Sequence, residues 1–166
     1  MSDLFSEPLA GHHDRASFRC GVPELDSYLH TQATQDVRRK VAAAYVMVNR
    51  ANPEVIVGYY TLSSFAVETD GLPEEAQRKL PRYPLTPATL IGRLARDLRF
   101  PGFGKHLLVD ALKRVLLHAR QVGSAAAVVD VKNETALKFY LKNGFLPFRE
   151  NTVRLFLPMK AISALG

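Results

Sequence analysis

The sequence predicts a single α/β domain, residues 1–166, with a mixed central sheet of about six to seven strands and flanking helices. Its length of 166 residues is typical of one domain. The first half contains hydrophobic segments joined by a short polar turn, which favours antiparallel strands. The second half contains a strand, an amphipathic helix and another strand in succession, which favours parallel pairing of those two strands.

In the first half, residues 1–17 are irregular or form one short edge strand. Apolar residues at helical spacing predict an amphipathic helix over about 23–38, and Pro23 suits its first turn. Two segments rich in apolar and β-branched residues follow at 41–48 and 55–65. Because a polar turn with a proline separates them, they predict an antiparallel hairpin.

In the second half, a long connection over residues 66–87 includes a short helix around 73–80, and connections of this length often carry binding function. The next strand is predicted over 89–96. The clearest helix covers 105–122, because one face of it is apolar, and Gly123 stands where a C-cap glycine is expected. A fully apolar strand follows at 125–131.

The last elements are short. A helix is predicted over 134–142, with Asn133 as its N-cap and Gly144 as its stop. Two strands near 145–149 and 152–158 complete the predicted sheet.

The composition excludes several classes of protein. Hydrophobic content of 47% and charged content of 23% are ordinary for a globular chain, and no apolar run approaches the roughly 20 residues of a membrane span. Because of the lack of such a run, we expect no membrane partner. The single cysteine, Cys20, allows no internal disulfide, so we expect a cytoplasmic protein. The net charge of +6 is compatible with a polyanionic partner such as nucleic acid, and also with a basic protein that has none.

A turn with two glycines follows the strand at 89–96. The helix after Gly102 and Gly104 begins at once, and its first N–H groups have no carbonyl partner within the helix. These donors and the helix dipole favour an anion, which glycine allows to approach the backbone. Alone, the pattern also fits an ordinary turn. It lacks the Gly-Lys-Ser/Thr of a Walker loop and the third glycine of a dinucleotide fingerprint.

A second motif lies in the helix at 134–142. Asn133 and Tyr140 are two helical turns apart and share one face, with Ala136 between them. Together the two motifs resemble the GNAT-type N-acetyltransferases, where Arg/Gln-x-x-Gly-x-Gly/Ala holds the acetyl-CoA pyrophosphate and an Asn-x-x-Ala-x-x-Phe-Tyr-x-x-x-Gly-Phe segment follows. The matching residues are Arg99, Gly102 and Gly104, then Asn133, Ala136, Phe139, Tyr140, Gly144 and Phe145.

Further segments resemble one GNAT subgroup, the toxins of type II toxin–antitoxin pairs, which acetylate the amino group of aminoacyl-tRNA and block translation. These segments are Phe18-Arg-Cys-Gly21, Leu25-Asp26, Tyr28-Leu29, Gly58-Tyr-Tyr-Thr-Leu-Ser63, Ile91-Gly-Arg-Leu-Ala95 with Asp97, and Leu157-Pro-Met159. The resemblance covers about residues 15–160. It implies the GNAT fold, acetyl-CoA as co-substrate without a metal, aminoacyl-tRNA as substrate, a ribbon-helix-helix antitoxin and a homodimer. Arg96 stands where the subgroup usually has an aliphatic residue.

The resemblance also implies the site. The strand backbone at 94–96 would pair with pantetheine and polarise the acetyl carbonyl, and the backbone at 102–106 would take the pyrophosphate, aided by the charge of Arg99 or Lys105. The implied acetyl-CoA contacts are Leu94, Ala95, Arg96, Arg99, Phe100, Gly102, Phe103, Gly104, Lys105, His106, Asn133 and Phe139.

Tyr140 is the candidate general acid for the CoA sulfur under this resemblance. The ordinary tyrosine pKa of about 10 keeps the hydroxyl protonated at neutral pH, as a proton donor requires. The spacing alone also fits an aromatic packed in the core beside Phe139 and Phe145.

Basic residues offer a path for tRNA phosphates. Arg38, Arg39 and Lys40 end the first predicted helix, where they would equally complement the helix dipole on a solvated end. The remaining candidates are Arg78, Lys79, Arg82 and Arg93. For Arg93, a structural role and a place at the substrate mouth both stay open.

Three other residues and two rival functions have alternative interpretations. Adjacent His12 and His13 are more often solvent residues than metal ligands, and Cys20 is more often a small packed residue than a nucleophile. The rival functions are a GNAT enzyme acting on a small-molecule or protein amine, and a basic RNA-binding domain without activity.

Overall fold

A computed structural model describes residues 3–151 and 153–165. The strands are β1 Leu4–Pro8, β2 Ala43–Asn49, β3 Gly58–Glu68, β4 Leu85–Arg96, β5 Ala126–Asp130, β6 Leu146–Pro147 and β7 Arg154–Pro158. The α-helices are α1 Pro23–Ser27, α2 Ala33–Arg38, α3 Glu74–Arg78, α4 Gly104–Ala119, α5 Glu134–Lys142 and α6 Met159–Ser163. A π-helical turn, Tyr28–Gln32, joins α1 to α2, and a 3₁₀ turn, Thr69–Gly71, follows β3.

The strands described form one mixed sheet in the order β1-β2-β3-β4-β5-β7-β6. β2 and β3 pair antiparallel, so the predicted hairpin is confirmed. β4 and β5 pair parallel, with Thr89 opposite Ala127, so α4 is the crossover helix that the second half of the sequence predicted. The α/β class with a mixed sheet is therefore confirmed.

The chain divides into two compact units. Unit one comprises Met1–Ser63 and Gly92–Ala111, and unit two comprises Ser64–Ile91 and Leu112–Gly166. Unit one contains a buried core cluster of Phe18, Tyr28, Leu29, Ala33, Val46, Val48, Ile56, Tyr59 and Ala95. The corresponding cluster in unit two consists of Val67, Leu72, Ala88, Ala126, Val128, Phe148 and Phe156.

Close packing in unit one requires glycine at the start of β3. A Cβ built on Gly58 would lie 2.9 Å from Cδ2 of Leu107 and 3.0 Å from the carbonyl oxygen of Ala95. Real side chains do not tolerate such contacts without displacement. Gly58 therefore lets β3 approach both β4 and the first turn of α4.

The helix predicted over 23–38 is present, but it is not a regular α-helix. The N–H of Ala33 donates to the carbonyl of Tyr28, five residues earlier, which makes the central turn π-helical. Such a turn accommodates one extra residue and shifts the following face by about one position. Tyr28 and Asp36 lie on the same side of this helical segment, and the tyrosine hydroxyl donates to the Asp36 carboxylate at 2.7 Å.

The largest helix of the described residues is α4. Its predicted apolar face is buried, comprising Leu107, Leu108, Ala111, Leu112 and Val115. It ends at Ala119, before the predicted 122, because residues 120–122 form turn hydrogen bonds instead, such as Gln121 N–H to the His118 carbonyl at 2.9 Å. Gly123 therefore does not cap it and has no positive φ. None of the helices described is long and apolar enough to cross a bilayer.

Other boundaries also differ from the prediction. β3 begins at Gly58, not 55, and β4 begins at Leu85, four residues before the predicted 89. The edge strand β1 is confirmed within residues 1–17, of which 1 and 2 lie outside the described part. The predicted strand at 152–158 corresponds to β7 from Arg154, and residue 152 also lies outside it. The short helix α6 was not predicted.

Candidate active site

The turn between β4 and α4 has the backbone form that the glycines predicted. Gly102 has φ of +88°, a conformation that favours glycine, and a Cβ built there would meet nothing within 4 Å. α4 begins at Gly104, and Leu107 N–H donates to the Phe103 carbonyl at 3.0 Å. The N–H groups of residues 104–106 precede that bond, so they are available to an anion. The turn thus fits a pyrophosphate.

Asp97, the first residue after β4, organises the beginning of this turn. Its side chain is 1% exposed, and its carboxylate accepts hydrogen bonds from Arg99 Nε at 2.9 Å and Arg99 Nη2 at 3.0 Å. Burial alone would raise the pKa of Asp97, but hydrogen bonds from the Arg99 side chain and from backbone N–H groups outweigh it and lower the pKa. The pair raises the pKa of Arg99 in turn.

The cations of the turn differ in what they contact. Arg96 Nη1 donates to the carbonyls of Asp97 and Phe100, at 3.2 and 3.3 Å, so its side chain folds over the turn. Arg99 is paired with Asp97, which offsets its charge. Lys105 and His106 are exposed on the first turn of α4, where His106 makes an edge-to-face contact with Phe103 at 5.7 Å.

β4 presents alternate backbone groups to its two edges. The carbonyl of Ala95 faces β3, since it would lie 3.0 Å from a Cβ on Gly58. Backbone groups of successive strand residues point to opposite edges, so those of Leu94 and Arg96 point away from β3. These are the groups that the resemblance assigned to pantetheine.

In unit two, Asn133 caps α5 as predicted. Its side-chain oxygen accepts a 2.8 Å hydrogen bond from the Ala136 N–H. At the other end of α5, Gly144 has φ of +92° and ends the helix. Both ends of the helix that carries Tyr140 therefore lie where the sequence predicts them.

Tyr140 packs between two aromatic rings, as its spacing suggested. Its ring centroid lies 5.2 Å from those of both Phe139 and Phe145, edge to face in each case, and the side chain is 8% exposed. Burial raises the pKa of its hydroxyl, and no charge or hydrogen bond from the described residues contributes to that shift. The phenol is therefore protonated at neutral pH.

The predicted tRNA-binding cations fall into both units. In unit one, Arg38, Arg39 and Lys40 are exposed where α2 ends. In unit two, Arg78 is exposed and lies 3.9 Å from Glu74, an ion pair that is weak because water screens both partners. Lys79 and Arg82 are exposed as well.

Arg93 is half-buried and takes part in a network that the sequence did not reveal. Its guanidinium lies 3.5 Å from the ring centroid of Tyr28. Asp36 accepts hydrogen bonds from Gln32 and from the Tyr28 hydroxyl, and these lower the pKa of its carboxyl. Burial, followed by the bond to Asp36, raises the pKa of Tyr28 to about 12. The Gln32–Asp36 bond has ordinary helical spacing, but Arg93 lies on β4, so no local sequence signal indicates its contact with Tyr28.

The candidate metal ligands at His12 and His13, like the candidate nucleophile Cys20, have structural partners. Glu7, His12 and His13 are close enough to suggest a metal site, but the Ala10 N–H donates to Nδ1 of His13 at 3.0 Å. Nε2 of the neutral ring then carries the proton and donates to Glu7 at 2.8 Å, so it has no lone pair for a metal.

Cys20 is a packed thiol. It is half-buried, and its Sγ contacts the Val22 carbonyl at 3.6 Å. Burial, followed by the neighbouring Asp26, raises the pKa of the thiol to about 11. A thiol of this pKa is a poor nucleophile at neutral pH.

Comparison with known proteins identifies the family. No protein-family model matches the chain. A probable toxin TacT from Sinorhizobium fredii is 32% identical, over 96% of this chain and 93% of its own length. A tRNA-acetylating toxin from Mycobacterium tuberculosis is 31% identical, over 92% and 90%. The chain belongs to the family of tRNA-acetylating toxins. The resemblance to GNAT-type N-acetyltransferases is confirmed with it.

Solved structures of toxins from this family have the same fold. A Tyr-to-Phe mutant of KacT has a TM-score of 0.90 at 30% identity and covers 99% of both chains. AtaT complexed with acetyl-methionyl-tRNAfMet has a TM-score of 0.89 at 33% identity, over 98% of this chain and 99% of that one. A Tyr-to-Phe mutant of AtaT, bound to the C-terminus of the antitoxin AtaR and acetyl-CoA, has a TM-score of 0.82 at 29% identity, over 98% of each.

Proposed function

We propose that this toxin transfers the acetyl group of acetyl-CoA to the α-amino group of an aminoacyl-tRNA and thereby blocks translation. The observation that carries this proposal is the similarity over nearly the whole chain to a toxin solved with acetyl-methionyl-tRNA. The open glycine turn before α4 supports the same conclusion, because it presents backbone N–H groups suited to a pyrophosphate.

The reaction requires a neutral amine. Its nitrogen attacks the thioester carbonyl, and the negative charge that develops on the carbonyl oxygen is stabilised by the N–H of Leu94 or Arg96, which points away from β3. The tetrahedral intermediate then collapses, so that the carbonyl re-forms, the C–S bond breaks and the new C–N bond remains. The sulfur takes a proton from the Tyr140 hydroxyl, which burial keeps protonated. The nitrogen releases its surplus proton to water, and water returns a proton to the Tyr140 oxygen before the next turnover.

The remaining residues named for acetyl-CoA have different roles. The backbone at 102–106 holds the pyrophosphate, and the exposed Lys105 adds positive charge, while Arg99 shapes the turn through Asp97. Phe100, Phe103 and His106 supply rings beside the turn, and Asn133 and Phe139 hold the helix that carries Tyr140. Arg38, Arg39, Lys40, Arg78 and Arg93 bind tRNA.

We also propose the domain organisation, localisation, oligomeric state and regulation of this toxin. The chain acts as one GNAT domain, in the cytoplasm, as a homodimer. A ribbon-helix-helix antitoxin controls it, by analogy with AtaT, whose structure includes the C-terminus of its antitoxin AtaR. Co-expression with such a partner should restore the growth of cells that make the toxin.

The substrate test uses purified protein, labelled acetyl-CoA and a pool of charged tRNAs. We expect label at the aminoacyl end, released with the amino acid when the ester is hydrolysed, and none on uncharged tRNA. Label on free amines or on proteins, with none on charged tRNA, would support the rival acetyltransferase function. Absence of label on every acceptor, with tRNA bound, would support the non-catalytic RNA-binding function.

A further inference from the structure

Both carboxylate oxygens of Asp97 accept hydrogen bonds from neighbouring residues. Oδ1 accepts the Arg99 N–H at 2.8 Å and Arg99 Nε at 2.9 Å. Oδ2 accepts the Arg19 N–H at 3.0 Å and Arg99 Nη2 at 3.0 Å. With four donors and 1% exposure, this group has no capacity to bind a ligand itself.

The backbone of Asp97 is attached to two further segments of unit one. Its N–H donates to the Val57 carbonyl at 2.9 Å, just before β3. The N–H of Leu98 donates to the Arg19 carbonyl at 2.9 Å. The backbone of Arg19 therefore bonds both to the Asp97 side chain and to the next residue, Leu98. The turn that leads to Gly102 therefore starts from a position held on two sides.

The side chain also controls charge in this turn. Arg96, Arg99 and Lys105 would repel one another in a short segment, and the Asp97 carboxylate pairs with the middle one. Its pKa is lowered despite burial, so it is ionised at neutral pH. Asp14 also acts on Arg99 by charge, but its carboxylate accepts its hydrogen bond from the Ser17 N–H, at 3.2 Å.

We propose that Asp97 is a positioning residue for acetyl-CoA, because it fixes the shape of the turn at 97–104 that receives the pyrophosphate. The proposal rests on the proposed use of acetyl-CoA and assigns Asp97 no contact with it. Neutralising the carboxylate replaces one acceptor oxygen with a donor that faces Arg19 or Arg99. The turn then loses its fixed form while the rest of the core keeps its own contacts.

The test is the affinity of Asp97→Asn for acetyl-CoA, measured by calorimetry without tRNA. We expect binding about tenfold weaker with a stoichiometry near one, because hydrogen bonds to a buried charge are lost. In turnover, the KM for acetyl-CoA should rise while kcat at saturation changes little. A purely structural role would instead reduce the stoichiometry and melting temperature and leave the affinity of the folded fraction unchanged.

Asp14→Asn is the matched control, since it removes an acidic charge acting on Arg99 without breaking a bond to the turn. It should bind acetyl-CoA within about twofold of the parent. Equal weakening in both variants would overturn the proposal in favour of a general charge effect. Unchanged affinity in a folded Asp97→Asn protein would also overturn it.

A second variant covers the case in which Asp97→Asn does not fold. Arg99→Lys keeps the positive charge and breaks the paired hydrogen bonds to the carboxylate. We expect severalfold weaker binding of acetyl-CoA, and unchanged binding would overturn the proposal. The parent protein is measured first. Absence of acetyl-CoA binding in the parent would refute the proposed function, whereas equal binding by parent and variants would refute only the role of Asp97.

Discussion

The N–H of Lys40 donates a 3.1 Å hydrogen bond to the Val37 carbonyl while Lys40 itself adopts a left-handed conformation, with φ of 62°. Val41 N–H also donates, to the Asp36 carbonyl at 3.1 Å. This pair of bonds is the Schellman arrangement, which usually places glycine where Lys40 stands. A lysine in this position carries backbone strain that glycine would not.

Lys40→Gly should therefore stabilise the protein and weaken tRNA binding. Relief of the left-handed strain is worth about 1 kcal/mol in the free energy of unfolding, measured in urea. Loss of one phosphate contact should make binding less dependent on salt, with the log–log slope smaller by about one. Lys40→Asn, which removes the same charge and tolerates this φ, is the control. Lower stability in the glycine variant would contradict the strain argument.

Tyr140→Phe tests the proposed general acid. Removal of the hydroxyl should lower kcat by about a hundredfold or more, because general acid catalysis contributes on that scale. The phenyl ring keeps its contacts with Phe139 and Phe145, so the melting temperature should stay close to that of the parent. Tyr83→Phe, at a side chain 65% exposed, is the control and should keep full activity. A Tyr140→Phe protein that inhibits growth as strongly as the parent would exclude the acid role.

A comparison of Gly102→Ala with Gly123→Ala separates the effect of backbone conformation from the effect of steric space for a Cβ. An added Cβ meets nothing within 4 Å at either position, but only Gly102 has a positive φ. We expect Gly102→Ala to lose about 1–2 kcal/mol of stability and to bind acetyl-CoA more weakly. Gly123→Ala should be neutral or slightly stabilising. Equal effects of the two substitutions on chemical unfolding and calorimetric binding would show that φ is not the cause.

The thiol of Cys20 should react slowly with alkylating reagents. With a pKa of about 11, the thiolate fraction at pH 8 is about 0.1%, and the rate should rise about tenfold for each pH unit up to pH 10. The measurement is the rate of iodoacetamide labelling by mass spectrometry, with the protein unfolded in urea as the reference. Fast labelling of the native protein at pH 7 would refute the packed state of this thiol.

Local features of the sequence identified the elements that carry the site. The apolar face of α4, the Asn133 cap and the glycines at 102 and 144 depend on neighbours within a few residues, so periodicity and residue type were sufficient. Boundaries were less accurate. α4 stops at Ala119 because turn hydrogen bonds compete with the helix there, and Gly123 gave a misleading signal for its end.

The sequence by itself determined the α/β class, the strand–turn–helix that suits a pyrophosphate, and the helix that presents Tyr140. Only the tertiary structure decided which groups hold these parts in place. Asp97 bonds to Arg19, 78 residues away along the chain, and Arg93 of β4 lies over the ring of Tyr28. The physical reason is that a hydrogen bond or a buried charge depends on groups that folding brings together, whereas helical period and glycine conformation are properties of a short segment.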